Sequence, residues 1–208
     1  MAIIKFNNRK NSTVNCNSNK LRRGIQYITN HKKTSKDLVG GSGVNCENAY
    51  ERMQIVKHFY GKESGREYIH FAVSFKGKKD VDTAYFIAQN IANLYEDFQV
   101  LFAVHINTAN THIHFIINSV NVKDGHKFSQ SKSDLQRLKD KINLIADKYG
   151  LNAEEITVDE DDYFDFEDDA EYEFDEQNLI EPMIFYDIEG LIKPLIPNYE
   201  YKEDSEQN

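Results

Sequence analysis

The chain has 208 residues, with 25 Lys and Arg against 34 Asp and Glu, a formal net charge of −9. Taken whole, that balance argues against a nucleic-acid binder, which normally shows a basic excess. The charge is unevenly divided, however: residues 151–208 hold 21 acids and two bases, a net of −19, which leaves residues 1–150 at +10. Such asymmetry marks nucleic-acid interaction or a charged tail. Two regions are therefore expected, a basic domain over 1–150 and an acidic tail over 151–208. No apolar run approaches the roughly 18 residues of a membrane-spanning helix, and the opening MAIIKFNNRKN is too briefly apolar for a signal peptide. Cys16 and Cys46 make no C-x-x-C pair, so reduced thiols of a cytoplasmic protein are expected.

Residues 2–6 (AIIKF) read as an edge strand and the Asn-rich stretch 7–19 as loop. Residues 20–29 (KLRRGIQYIT) space Leu21, Ile25 and Ile28 as one helical face, with Tyr27 beside it. Residues 31–43 are basic and then glycine-rich, which predicts a mobile loop. Ala49, Met53, Val56 and Tyr60 give a helix over 47–60, closed by Gly61. Residues 67–75 (EYIHFAVSF) alternate as a strand, with Ile69, Phe71, Val73 and Phe75 on one face and Tyr68, His70 and Ser74 on the other. The helix over 81–95 has a continuous apolar stripe and Asp80 as its N-cap. Strands follow at 98–106 and 111–120, and a helix at 132–149 that Ser131 and Asp134 cap and Gly150 stops. This order predicts an α+β domain, an antiparallel sheet with helices packed on one face. Residues 159–176 hold 12 acids and no base, so the tail is expected to be largely disordered, with a candidate docking motif at 178–201.

The informative segment is 105–118, HINTANTHIHFIIN. His112 and His114 are two apart and share a strand face with Asn118, while Ile113, Phe115 and Ile117 face a core. With 107–110 as a four-residue hairpin loop, His105 falls directly opposite His112, where paired Cβ atoms lie roughly 4.5–5.5 Å apart. Three imidazoles then converge on one patch, the donor set of a metal site with positions left for substrate. His31, His58, His70 and His126 read as ordinary surface or partly buried histidines, His70, on a neighbouring strand, being the one to watch.

With these motifs the sequence resembles the conjugative relaxases, mobilisation nucleases of the HUH endonuclease superfamily, closest to the MobP-like group. The resemblance covers about residues 20–150. It rests on LRRGIQYI with Tyr27, on HFAVSF, on His105 followed by His112-x-His114-x-x-x-Asn118, and on the trailing segment from Asn118 to Leu135. It implies a bacterial enzyme that nicks a mobile element's transfer origin site- and strand-specifically. Tyr27 would be the nucleophile, leaving a 5′-phosphotyrosine link and a free 3′-OH. It also implies a divalent metal, Mg²⁺ or Mn²⁺, on His105, His112 and His114, with Asn118 behind them. Single-stranded origin DNA, an accessory DNA-binding mobilisation protein and a secretion coupling protein would be the partners.

A phenol is a weak nucleophile at neutral pH, since its unperturbed pKa is about 10, so it needs activation. Arg22, Arg23 and Lys127 are candidate phosphate contacts, with Lys76, Lys78, Lys79, Lys123 and Lys132 as further basic residues. Tyr50, Tyr60 and His31 remain alternative nucleophiles. The family often carries an acid two residues after the first histidine, where this chain has Asn107; Glu67 and Asp124 are open substitutes. A rolling-circle initiator is disfavoured because Tyr149 alone follows the histidines before the acidic stretch. A non-catalytic DNA- or partner-binding protein, its acidic tail mimicking DNA, is the alternative from a different class.

Overall fold

The computed structural model describes residues 5–6 and 20–151. The stretch 7–19, the acidic run and the docking motif lie outside the described residues. Five antiparallel strands form one sheet: β1 (Lys5–Phe6), β2 (Val39–Ser42), β3 (Tyr68–Ser74), β4 (Val100–His105) and β5 (His112–Asn118), in the order β1-β3-β5-β4-β2. The helices are α1 (Lys20–Ile28), α2 (Ala49–Phe59), α3 (Val81–Ala92) and α4 (Lys132–Lys148). The α+β antiparallel architecture is thus the one the sequence predicts. The caps also form as read. The Asp80 carboxylate accepts from the Thr83 amide at 2.8 Å, and Ser131 and Asp134 make a reciprocal capping box.

Two expectations need correction. The helices cover both faces of the sheet, not one. Ile69, Phe71, Val73, Phe102, Val104, Ile113, Phe115 and Ile117 share a core with Ala84, Ile87, Ala88 and Ile91 of α3 and Leu138, Ile142 and Ile145 of α4. On the opposite face, Leu101, Ala103 and Ile116 are covered by Leu21, Ile25 and Ile28 of α1 and Ala49 and Met53 of α2. The cause is legible in β4, whose six residues are all buried. A strand apolar on both sides needs cover on both sides.

The second correction is in 31–43, which holds a 3₁₀ turn at Lys36–Leu38 and then β2. VGGS pairs residue for residue with Val100–Ala103 and closes one edge of the sheet. Glycine disfavours strands in general, but here it is required by close approach. A Cβ on Gly40 would fall 2.5 Å from the Phe102 ring, and one on Gly41 2.5 Å from two carbonyl oxygens.

Candidate active site

The β4–β5 hairpin carries the histidines in the register the sequence predicts, with His105 paired to His112 and Ala103 to His114. On the other side of β5, Ala72 of β3 pairs with His114, which places His70 diagonally beside it on the same face. The rings of His105 and His114 lie 4.2 Å apart between centroids, and those of His112 and His114 6.3 Å apart. His70 completes the group: its Nε2 stands 3.2 Å from His114 Nδ1, and it is buried. A hydrogen bond to the second ring nitrogen is what orients a metal-binding imidazole and fixes its tautomer. The other two histidines have such bonds as well. His105 Nε2 donates to the Ile28 carbonyl at 2.8 Å, and His112 Nδ1 lies 3.1 Å from the Thr108 hydroxyl.

Burial sets the charge of this group. It lowers the pKa of His70 and of His105 to about 4, and that of His114 well below 6.5, with neighbouring histidines adding to the effect. These three rings are therefore neutral at pH 7, the form in which imidazole binds metal.

Tyr27 reaches the patch because the end of α1 is bonded to the end of β4. The His105 bond to Ile28 holds the last residue of the helix, and the Ile106 amide donates to the Lys33 carbonyl at 3.0 Å in the turn beyond. Just before the first anchor, Tyr27 sits with its ring centroid 5.8 Å from that of His114, 6.1 Å from His105 and 6.2 Å from His70. Leu21, Ile25 and Ile28 seat the helix on the sheet and leave Tyr27 half-buried at the histidine end. The Lys33 ammonium lies 3.8 Å from the centre of the Tyr27 ring.

The remaining site candidates separate. Asn118 is four residues from His114, about 13 Å along a strand. Its amide donates to the Met53 carbonyl at 3.2 Å and to Gln99 at 2.8 Å, so it ties β5 to α2 and does not back the histidines. Lys127 is also engaged elsewhere: its ammonium donates to the carbonyls of Lys62, Ser64 and Arg66 and clamps the loop after α2. Arg23 is exposed one helical turn before Tyr27, and Arg22 stacks over Tyr50 at 4.0 Å.

Neither acid suggested as a substitute for Asn107 comes to the histidines. Glu67 accepts from the Leu21 amide at the start of α1, and Asp124 bonds His126. The imidazole of His70 stands beside His114 instead. Its sequence signal was alternation alone, since nothing local tells which strand lies next to β5. Of the alternative nucleophiles, Tyr60 donates its hydroxyl to the Val122 carbonyl and His31 is exposed.

A hydroxyl beside neutral imidazole donors is an arrangement suited to nucleophilic or metal-assisted chemistry, and Tyr27 lies beside His70, His105 and His114. Similarity to known proteins points the same way. Residues 27–151 match the family model described as relaxase, MobA/VirD2-like, nuclease domain, and the chain belongs to that family. Two relatives, each named Protein rlx, from Staphylococcus aureus, are similar to it. One is 26% identical over 188 residues, covering 87% of this chain and 50% of the relative. The other is 26% identical over 159 residues, covering 74% and 46%. The chain thus spans about half the length of the curated relatives it matches. No solved structure matches it. No helix among the described residues is long and apolar enough to cross a membrane.

Proposed function

We propose that this domain nicks one strand at a mobile element's transfer origin and carries its 5′ end on Tyr27. The observation that carries the reading is the double tether of α1 to β4, which sets Tyr27 edge-on against the histidine patch. In the step proposed, the Tyr27 oxygen forms a bond to the scissile phosphorus while the bond from phosphorus to the 3′ oxygen breaks. The phenolic proton passes to solvent and the departing 3′ oxygen takes one up. Reversal of the same exchange rejoins the strand. Arg22 and Arg23, on the helix that carries Tyr27, would track the backbone of the incoming strand. An accessory DNA-binding mobilisation protein and a secretion coupling protein are the proposed partners.

The residues fit a divalent cation in their chemistry: three imidazoles, the buried pair held neutral, each with one ring nitrogen oriented by a hydrogen bond. Among the described residues no three such side chains stand gathered to hold a metal ion. His105, His112 and His114 would hold the ion, which when bound would neutralise charge on the oxygens of the scissile phosphate. Mg²⁺ prefers oxygen ligands and its own waters, so of the two ions an all-imidazole set without a carboxylate leaves Mn²⁺, a transition-metal ion that accepts nitrogen more readily, the better match. Half-maximal nicking is therefore expected at a Mn²⁺ concentration at least about 10-fold below that for Mg²⁺, read by titrating each ion.

The function is tested with single-stranded oligonucleotides tiled across the DNA that flanks this gene. With Mn²⁺, one oligonucleotide should give a protein–DNA adduct that survives denaturing electrophoresis, and Tyr27→Phe should abolish it. An undiminished adduct in Tyr27→Phe would contradict the mechanism.

A further inference from the structure

The histidine patch leaves one question of chemistry open: what stabilises the phenolic oxygen as its proton leaves. Lys33 brings a fixed positive charge against the Tyr27 ring. Its position is built rather than incidental. The Lys33 amide donates to the Asn30 carbonyl at 2.8 Å, and the Lys33 carbonyl accepts from Ile106 at 3.0 Å. Asn30 is itself buried, and its side chain holds the Lys32 amide at 2.9 Å. The turn that carries Lys33 is thus closed on itself just after α1 and fastened to the histidine hairpin. The ammonium also opposes protonation of His105 and His114, so it faces the same patch as Tyr27.

Two other cations near this end have other partners. The Lys78 ammonium donates to the Ile106 carbonyl at 3.1 Å, and Arg22 stacks on Tyr50.

We infer that Lys33 is the electrostatic partner of Tyr27: its ammonium stabilises the negative charge that develops on the phenolic oxygen as the proton leaves. Charge placed in advance where charge develops is a large source of rate enhancement, more so in a partly dehydrated site. Lys33 acts through Tyr27 and is a positioning residue rather than a nucleophile or base. A cation over an aromatic ring can also serve packing alone, and the two roles differ in what they change. Packing is read in stability and in binding, electrostatic assistance in the rate of the covalent step.

The inference rests on Tyr27 being the nucleophile, and the experiment separates the two. Single-turnover adduct formation is followed with the cleavable oligonucleotide at saturating Mn²⁺ for the wild-type chain, Lys33→Met, Lys33→Arg and Tyr27→Phe. Oligonucleotide affinity is measured in parallel in EDTA, and urea unfolding reports folding. Lys33→Met should slow adduct formation by about 10- to 100-fold. Lys33→Arg should stay within about 5-fold, and both variants should bind DNA within about 3-fold of wild type. If Lys33→Met is unfolded, Lys33→Gln replaces it.

A wild-type rate in Lys33→Met would overturn the inference, as would equal losses in Met and Arg variants. A loss confined to affinity would make Lys33 an ordinary phosphate contact and overturn it too. Tyr27→Phe inactive beside a fully active Lys33→Met refutes the role of Lys33 alone. An adduct that persists in Tyr27→Phe refutes the nucleophile, and no adduct from the wild-type chain refutes both.

Discussion

The two faces of the sheet are made by the same strands and do different work. On the α3/α4 face every inward residue of β3, β4 and β5 is apolar, and Phe71 stacks on Phe115 with centroids 4.6 Å apart. On the α1/α2 face the apolar residues stop partway along. Leu101, Ala103 and Ile116 pack under the helices; His70 stands beside Ile116 and His114 beside Ala103, and His105 and His112 come beyond them. Because strand side chains alternate with a period of two, a residue can be assigned to chemistry without disturbing its neighbour in the core. The fold uses this alternation in β5, where histidine and isoleucine or phenylalanine succeed one another from 112 to 115.

The largest expected contrast comes from one substitution on each face. Phe115→Ala should lower stability by about 3–5 kcal/mol, read from urea unfolding, because it opens a cavity in a stacked core. His112→Ala, at the half-exposed end of the same strand, should leave unfolding within about 1 kcal/mol and cut the nicking rate by about 100-fold or more. If His112→Ala unfolded the chain, or left nicking intact, the division of labour would fail.

Acid should sharpen the same contrast. His70 and His105 have native pKa values near 4 against 6.5 for the free side chain. The unfolded chain therefore binds more protons between these values, and stability that is complete above pH 6.5 is lost as the pH falls toward 4. The slope should approach roughly 1.4 kcal/mol per pH unit for each histidine at its steepest. Urea midpoints of the metal-free chain between pH 7.5 and 5 measure this; a flat profile would mean the histidine face is more open to water than its burial implies. The smallest effect belongs to the cap of α3, whose carboxylate bonds the Thr83 amide. Asp80→Ala should cost about 1 kcal/mol of stability with nicking unchanged, and a loss of nicking there would break the separation from the other side.

The hairpin was legible in the sequence because its information is local. A four-residue loop and strict alternation fix the pairing of His105 with His112 and turn His114 to the same side. The cap residues at Asp80 and Ser131 were legible for the same reason. What was not legible depends on distant neighbours. The glycines at 40 and 41 look like loop until Phe102 and the Val100 carbonyl occupy the space a Cβ would need. The cover on the second face follows from β4 being central, which no single segment reveals. Asn118 fits the family motif by spacing, yet its partners, Met53 and Gln99, draw it away from the histidines it was expected to support. Lys127 lies in a basic stretch, but its charge is taken up by the carbonyls of a loop some sixty residues earlier. The joining of Tyr27 to the patch depends on two bonds between segments far apart in the chain, and this is the part the resemblance supplied and the residues alone did not.

In the proposed mechanism the double tether of α1 to β4 makes Tyr27 the residue that takes the DNA. This is tested most directly by digesting the adduct and locating the phosphate by mass spectrometry. The modification is expected on the peptide that contains Tyr27, on the tyrosine itself. Phosphate on His31, Tyr50 or Tyr60 would contradict it.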